Sequence, residues 1–256
     1  MPAVKISPNI IWTLPFFSKL NDAEKTELLK VANFRHVKRG ETLFLQGSLL
    51  THFYWVCSGA IQKFRVTHDG RELTGAIRTT GDVLYDPDAR QPELHHTMNA
   101  RAVQETTLLA IPASWINEHI ALWPDLADHF ITLLAERAQE ALIDSEHQAT
   151  MNAAQLVSCY LQKLCVLHHF DPRGFELPYS KSLIASRLGM ELETFSRTLP
   201  RLKELGITVT GKHVKFDDVD SAQSHACGAC SITEECLTHK AMQELAIASN
   251  GKKIGS

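Results

Sequence analysis

The chain has 256 residues, of which 44% are hydrophobic and 21% charged, and its formal net charge is −3. This length allows two modest domains, and the composition is that of an ordinary soluble globular protein. The small net charge argues against a nonspecific polyanion-binding protein, and no run of about 18 apolar residues predicts a membrane span. Because the N-terminal residues also lack the pattern of a secretory signal, we expect a cytoplasmic protein.

The N-terminal half predicts one helix followed by many short strands. Leu20 to Val31 has the spacing of an amphipathic helix, which Asn21 or Asp22 can cap. From Glu41 to Pro112, short runs of β-forming residues alternate with turns that contain glycine. Many short strands with regular turns predict a barrel or jelly roll, so we assign residues 1–124 to an N-terminal β-roll domain.

The middle of the chain predicts a long helix and a shorter one. Apolar side chains recur at helical spacing from Leu126 to Leu142, and we assign residues 125–151 to one helix. A helix of this length needs a partner surface, which is either the β-roll or the same helix of a second chain. A second helix from Ala153 to His168 precedes the turn at residues 171–174.

Two short helices joined by a turn come next, in the pattern of a helix-turn-helix. Gly189 supplies the turn, and Ser180 or Ser182 can cap the first helix. A strand-turn-strand pattern from Ile207 to Phe216 predicts a wing. We therefore assign residues 152–220 to a winged helix-turn-helix domain. The apolar residues expected to pack the two helices are Leu183, Ala185, Leu188, Phe195 and Leu199.

The opposite face of the second short helix carries polar groups suited to base recognition. Glu193, Ser196 and Arg197 fall at i, i+3 and i+4, so they project together. Arginine can bond to a guanine edge, glutamate can accept from cytosine, and serine can contact either partner of a pair. The plain alternative is the solvated face of an ordinary helix. The predicted DNA contacts are Glu193, Ser196, Arg197, Thr194, Ser182 and Lys181.

The charge of this region supports a DNA-binding surface. Between residues 171 and 216, eight Lys or Arg stand against five Asp or Glu. Such a local excess of positive charge favours contact with phosphates, and the binding is expected to weaken as salt rises.

Three of the six cysteines lie together after the wing, in a tail that we assign to residues 221–256. In the spacing of Cys227, Cys230 and Cys236, two thiolates can bind one metal or one cluster edge and the third can close over the opposite side. Three kinds of site fit: an iron–sulfur cluster, a zinc site completed by His239, or free thiols that respond to redox conditions. Structural disulfides are not expected in a chain without a secretory signal.

These motifs resemble those of the CRP/FNR superfamily of bacterial transcription regulators. The Glu193-x-x-Ser196-Arg197 pattern is similar to the FNR branch, and Leu192 stands where the CRP branch carries a second arginine. The resemblance covers residues 21–216. It implies an α+β fold with a sensory β-roll, a long dimerisation helix and a winged helix-turn-helix. It also implies a homodimer, a pseudo-palindromic TTGAT-like operator and RNA polymerase as a partner.

The resemblance further implies a [4Fe-4S] cluster that is sensitive to oxygen, NO or redox conditions. The C-x2-C-x5-C spacing is that of the cluster-binding cysteines of the FNR branch, where it precedes the β-roll, whereas here it follows the wing. Some relatives carry their cluster after the DNA-binding domain, as this chain would. The position of the family's β-roll cysteine corresponds to Leu109, so the fourth ligand is open. The candidates are Cys159, Cys165 and Asp144.

Other effectors and activities have less support in the sequence than the cluster. The stretch from Gly81 to Ala100 lacks the glutamate and the Arg-Ser pair with which cyclic-nucleotide binders of the superfamily hold the phosphate. His95 and His96 lie where a haem pocket would form, although no haem-attachment motif is present. The alternative to an iron–sulfur cluster is a structural zinc in the tail, together with an organic or haem effector in the β-roll. No catalytic motif indicates an enzyme.

Overall fold

The computed structural model describes residues 12, 17, 20–85 and 94–251, with side chains given up to residue 245. The chain divides into two compact units, residues 1–138 and 139–256. Helices and antiparallel sheets are both present, so the fold class is α+β, as predicted. None of the described helices combines the length and the apolar character needed to cross a membrane.

The described part of the first unit includes α1 (Asp22–Val31), whose start is fixed by local sequence. The Asn21 side chain accepts hydrogen bonds from the backbone N–H groups of Ala23 and Glu24, each at 3.0 Å. In return, the Glu24 carboxylate accepts a bond from the backbone N–H of Asn21 at 2.8 Å. This reciprocal capping box makes Asn21, rather than Asp22, the N-cap of the helix.

Two antiparallel four-stranded sheets follow, with the strand orders β1-β8-β3-β6 and β2-β7-β4-β5. The first strand precedes the region in which the sequence predicted β-structure. The strands are β1 (Asn33–Val37), β2 (Thr42–Phe44), β3 (His52–Ser58), β4 (Ala60–Val66), β5 (Glu72–Thr79), β6 (Val83–Leu84), β7 (Asn99–Ala102) and β8 (Thr106–Pro112).

Side chains of the first sheet alternate between two cores. Trp55, Leu109 and Ile111 pack in a core shared with helices of this unit, whereas Val56 and Leu108 pack in the core between the sheets. All five are at most 1% exposed. Leu109 is therefore a packing residue at the position where the sequence comparison indicated a missing cluster ligand.

Two helices follow the sheets, the short α2 (Ala113–His119) and the long α3 (Pro124–Thr150). The beginning of α3 packs on the β-roll, because Phe130 is buried with its ring centroid 5.7 Å from that of Phe53. Leu134 and Leu142 are instead 40% and 72% exposed. The apolar residues predicted for this helix are thus buried near its start and exposed further along it.

The predicted helix-turn-helix is present in the second unit. It comprises α5 (Lys181–Arg187) and α6 (Leu192–Glu204), and both follow α4 (Ala153–Leu167). Gly189 lies in the turn with a φ of +67°, a conformation that glycine adopts without a steric penalty. The buried residues of α6 are Phe195, Thr198 and Leu202. Leu199, predicted to be buried, is only partly so, because it lies at the margin of that i, i+3, i+7 stripe.

The predicted wing is also present, with one strand that the sequence analysis missed. β10 (Ile207–Thr210) and β11 (His213–Phe216) form the hairpin, and β9 (Phe175–Glu176) pairs with β11 from the other side. β9 has only two residues and pairs with a strand almost forty residues away, so it leaves no periodic pattern in the sequence.

The region that the sequence analysis treated as a tail contains two helices, α7 (Val219–Cys227) and α8 (Leu237–Gly251). Both helices pack against α4. Ala222 and Ala226 of α7 and Met242 of α8 are fully buried. Both helices therefore contribute side chains to the core of the second unit.

Candidate functional site

The polar residues predicted to contact DNA lie on the exposed side of the helix-turn-helix. Phe195 and Leu202 anchor α6 with no exposed surface, and Glu193, Ser196 and Arg197 lie on its exposed side, as does the predicted contact Thr194. The Arg197 guanidinium bonds to the Glu193 carboxylate at 2.5 Å, and the two side chains are 76% and 73% exposed.

The two predicted contacts on α5 lie at its N-terminus. Ser180 is the N-cap, and its hydroxyl accepts a hydrogen bond from the backbone N–H of Leu183 at 3.2 Å. Ser182 is exposed and its hydroxyl lies 2.9 Å from that of Ser180, while Lys181 is half-buried. The structure thus places all six predicted contacts on two elements of one motif.

One basic residue of this region faces inward. The Arg187 side chain is only 11% exposed and bonds to the Asp144 carboxylate of α3 at 2.5 Å. It adds nothing to the exposed positive surface, although the count of charges along the sequence includes it. Burial of this kind depends on packing and cannot be inferred from the count.

Four cysteines come together beside α4. Cys159 lies on α4, Cys227 ends α7, and Cys230 and Cys236 lie in the residues that join α7 to α8. Burial raises the pKa of the Cys159 thiol to about 12, and the charges of the other three thiols raise it further. Burial likewise raises the pKa of Cys227 to about 11, with contributions from Cys236 and Cys230. The four sulfur atoms are therefore close enough to interact electrostatically.

The other two candidates for a fourth ligand have different surroundings. Cys165 is buried, and its thiol donates a hydrogen bond to the carbonyl oxygen of Phe170 at 3.4 Å. Burial and the charge of Asp171 raise its pKa to about 12, with no contribution from the cysteines of the tail. Asp144 is engaged by Arg187. Of the three candidates, Cys159 is thus the one whose thiol interacts with the cysteines that follow the wing, while Asp144 lines the same cavity but binds Arg187.

Two histidines contact this group of cysteines. Nδ1 of His239 lies 3.3 Å from the sulfur of Cys227, which brings together two members of the predicted zinc set. Nε2 of His147 lies 3.5 Å from the sulfur of Cys230. The sequence did not predict His147 as part of this site. It lies on α3, 83 residues before Cys230, and no local motif includes it.

A cavity of about 280 Å³ adjoins the cysteines. Six of its lining residues are Asp144, His147, Cys159, Tyr160, Arg187 and Cys236. Across the part of the chain that the structure describes, no three His, Cys, Asp or Glu side chains are arranged to hold a single metal ion. Of the four cysteines, Cys159 and Cys236 line this cavity.

Among the β-roll residues that could bind another effector, some are buried in other contacts. His96 is 6% exposed and stacks on Phe44 with ring centroids 3.5 Å apart, whereas His95 is exposed. Residues 86–93 of the loop compared with cyclic-nucleotide binders lie outside the described residues. Cys57 is 1% exposed in the β-roll core, where burial raises its pKa to about 11.

Comparison with known families agrees with this architecture. A cyclic nucleotide-binding domain model matches residues 34–121, and a Crp-like helix-turn-helix domain model matches residues 157–221. The chain belongs to the Crp/Fnr family. It is a DNA-binding transcription regulator of the Crp/Fnr type and not an enzyme, so the predicted family, fold class and absence of enzymatic function are confirmed.

Curated relatives of this Crp/Fnr regulator include proteins named for anaerobic control. It is 24% identical over 212 residues to the anaerobic regulatory protein of Haemophilus influenzae, covering 81% of each chain. It is 25% identical over 214 residues to the fumarate and nitrate reduction regulatory protein of Escherichia coli K12, covering 81% of this chain and 84% of that one. FixK2 from Bradyrhizobium japonicum shares its fold, with a TM-score of 0.67 and 20% identity over 76% of this chain and 97% of that one.

Proposed function

We propose that this regulator is a homodimer whose operator binding is controlled by a [4Fe-4S] cluster held by Cys159, Cys227, Cys230 and Cys236. The signal is oxygen, NO or the redox state of the cell. The operator is a pseudo-palindromic, TTGAT-like sequence, and RNA polymerase is the protein partner. The reducing cytoplasm, where thiols persist, is the compartment that such a function requires.

The observation that carries the proposal is the position of Cys159. It lies on α4, more than sixty residues before the cysteines of the tail, yet it lines the same cavity as Cys236, and all three cysteines of the tail raise the pKa of its thiol. Four cysteine thiolates are the usual ligand set of a [4Fe-4S] cluster. The sequence motif offers three candidate ligands, and the nearness of Cys159 to them supports this cysteine as the fourth.

The arrangement favours a cluster over a single metal ion. Zinc bonds of about 2.3 Å require thiolate ligands in close contact around one point. Within the described ranges, no three ligand side chains have that arrangement. Cys159 and Cys236 instead line the cavity of about 280 Å³, which offers the larger volume that a cluster needs.

The protein's own residues link this site to DNA recognition through α4. Cys159 is on α4, and α4 also packs against α6, which carries Glu193 and Arg197. When bound, the cluster would supply a group that oxygen or NO can destroy. The packing of α4 on α6 would then differ between the protein with the cluster and the protein without it. DNA affinity would change to the extent that these two states bind operator differently.

The exposed side of α3 supports a dimer. Ile131 and Leu142 are 64% and 72% exposed. Because they are eleven residues apart, about three helical turns, they lie on nearly the same side of the helix. A twofold dimer places two recognition helices one DNA turn apart, as a palindromic operator requires.

Substitution of two cysteines on α4 tests the ligand set. In protein purified without oxygen, Cys159→Ser is expected to lose most of the iron and the visible absorption of the cluster, because one of its four ligands is gone. Cys165→Ser is the matched control, since it removes a buried thiol of the same helix outside the group, and it is expected to retain both. Asp144→Asn is expected to retain them too. Iron retained in Cys159→Ser but lost in Asp144→Asn or Cys165→Ser would show that the assignment of Cys159 is wrong.

The contact of Cys227 with His239 favours a second candidate. In this alternative, a structural zinc is held by Cys227, Cys230, Cys236 and His239, and an organic or haem effector binds the β-roll. Analysis of zinc and acid-labile sulfide in the same anaerobic protein separates the two, because the alternative requires one zinc per chain and no sulfide, whether or not haem iron is present.

A further inference from the structure

Residues 227–236, the cysteine segment, begin at the last residue of α7. Side chains of α4 hold α7 in place. Nε2 of Gln162 and the hydroxyl of Ser158 donate to the carbonyl oxygen of Ala222, at 3.4 Å and 3.3 Å. Both side chains are buried, with 2% and 0% exposure. Nε2 of Gln155 donates to the carbonyl oxygen of His225 at 3.1 Å. The start of the segment is thus fixed to α4.

The middle of the cysteine segment bonds instead to the end of α3. The Glu146 carboxylate accepts two hydrogen bonds from Ser231, from its backbone N–H and from its hydroxyl, each at 2.7 Å. The Thr150 hydroxyl donates to the carbonyl oxygen of Ala229 at 3.2 Å. These bonds lie on both sides of Cys230, so that cysteine cannot shift without disturbing them.

The same turns of α3 bond to the first helix of the helix-turn-helix. Asp144 binds the largely buried Arg187 at the end of α5. Nε2 of Gln148 donates to the carbonyl oxygen of Leu188 at 2.9 Å. Residues 144–150, named the α3 end, thus have contacts with the cysteine segment and with the DNA-binding motif within two helical turns.

The cavity beside the cysteines lies where these contacts meet. Its walls include Asp144 and Gln148 of the α3 end, Arg187 and Leu188 beside the turn, and Cys159. A group that fills this volume therefore touches both ends of the connection. Glu146 is not among the lining residues, so it can be changed without altering the walls of the cavity.

We propose that the α3 end couples the cysteine segment to the helix-turn-helix, with the bonds between Glu146 and Ser231 as its connection to the segment. The inference rests on the proposed cluster-controlled function and adds the path by which the signal travels. A helical turn closed by its own backbone bonds moves as a unit. Movement of the segment on loss of the cluster is therefore passed to Asp144 and Gln148, and from them to α5.

Glu146→Ala tests this path with Glu136→Ala as the matched control. Both changes remove a glutamate from α3 and introduce the residue most favourable to a helix, but Glu136 is exposed and more than two turns from Glu146. Operator Kd is measured for each protein with the cluster loaded and after its removal. Coupling between two sites in proteins typically changes affinity about 5–150-fold. We expect the Glu136 variant to keep the parental ratio of the two Kd values and the Glu146 variant to bring that ratio closer to one, with parental iron content in both.

The outcomes separate this inference from the proposed function. If the parent binds operator equally with and without its cluster, both are wrong. If the parent is controlled by the cluster and Glu146→Ala keeps the parental ratio, the function stands and the α3 end is not the path. Loss of iron in Glu146→Ala also overturns the inference, because the residue then serves retention of the cluster. Hydrogen exchange of the metal-free protein is a second readout, in which the Ser231 amide should exchange faster in Glu146→Ala than in Glu136→Ala.

Discussion

Among single residues, Arg197 and Glu193 are the pair most directly tied to DNA recognition. They bond to each other across one turn of α6, and both are about three-quarters exposed. An ion pair so open to water contributes little to stability, about 0–1 kcal/mol. The guanidinium of Arg197 can therefore exchange Glu193 for a base edge at small cost.

Arg197→Ala is expected to reduce discrimination at one base position of each half-site. The loss at that position is about 1–3 kcal/mol, because a bidentate contact with guanine disappears. Kd values for the operator, for single-base variants and for scrambled DNA measure it. Arg201→Ala is the control on the same helix, since Arg201 is exposed and bonds to Glu204. Equal weakening of all duplexes by Arg197→Ala would mean that this arginine contacts phosphate and not a base.

Cys57 is expected to resist alkylation in the folded protein. Burial raises its pKa from 9.0 to about 11, so at pH 8 the thiol stays protonated, and only the thiolate is a good nucleophile. The raised pKa also means that this thiol stabilises the fold below pH 9 and loses that contribution as the pH rises towards 11. Mass spectrometry after iodoacetamide treatment at pH 8 measures the alkylation of Cys57. Rapid native labelling, comparable to that in denaturant, would contradict the burial.

Among the helices and strands, elements whose ends are set by neighbouring residues could be predicted from the sequence. Elements that are stabilised by contacts with distant residues could not. Asn21 with Glu24 forms a capping box, and Gly189 adopts the turn that its position indicated. The strand β9 and the helices α7 and α8 were missed, since their stability comes from packing on β11 and α4.

The choice of the fourth cluster ligand in the candidate site also depends on contacts between distant residues. Cys159 and Cys165 are six residues apart, so helical geometry places them on different sides of α4. The sequence contains that separation, but it does not say which side meets the cysteine segment. The packing of α7 on α4 decides this, and with it the choice among the ligands that the sequence left open.

The exposed stripe of α3 gives a prediction for the dimer. Leu142→Glu is expected to give monomers, because it places a charge in the apolar surface proposed to pair two chains. Since two linked half-sites raise affinity by about 10²–10⁴, operator binding should fall by about a hundredfold or more. Sedimentation and operator Kd measure these effects. Thr132→Glu is the control, as an exposed position on another side of α3. A dimeric Leu142→Glu protein would place the interface elsewhere.

At the scale of the whole molecule, the second unit contains both the helix-turn-helix and the group of four cysteines. Its α4 packs against α6, α7 and α8, so one helix contacts the recognition element and the helices that flank the cysteine segment. The first unit contains the β-roll, which the cyclic nucleotide-binding domain model matches, and Leu109 is part of its core. This arrangement places the proposed sensor in the same compact unit as the DNA-binding motif.

The most direct test is the operator Kd of protein purified without oxygen, measured before and after exposure to air, with iron determined in the same samples. We expect a brown, iron-bearing protein whose colour fades in air while its operator affinity changes about fivefold or more. A colourless protein that holds zinc, or an affinity that is unchanged when the iron is lost, would contradict control of DNA binding by a cluster.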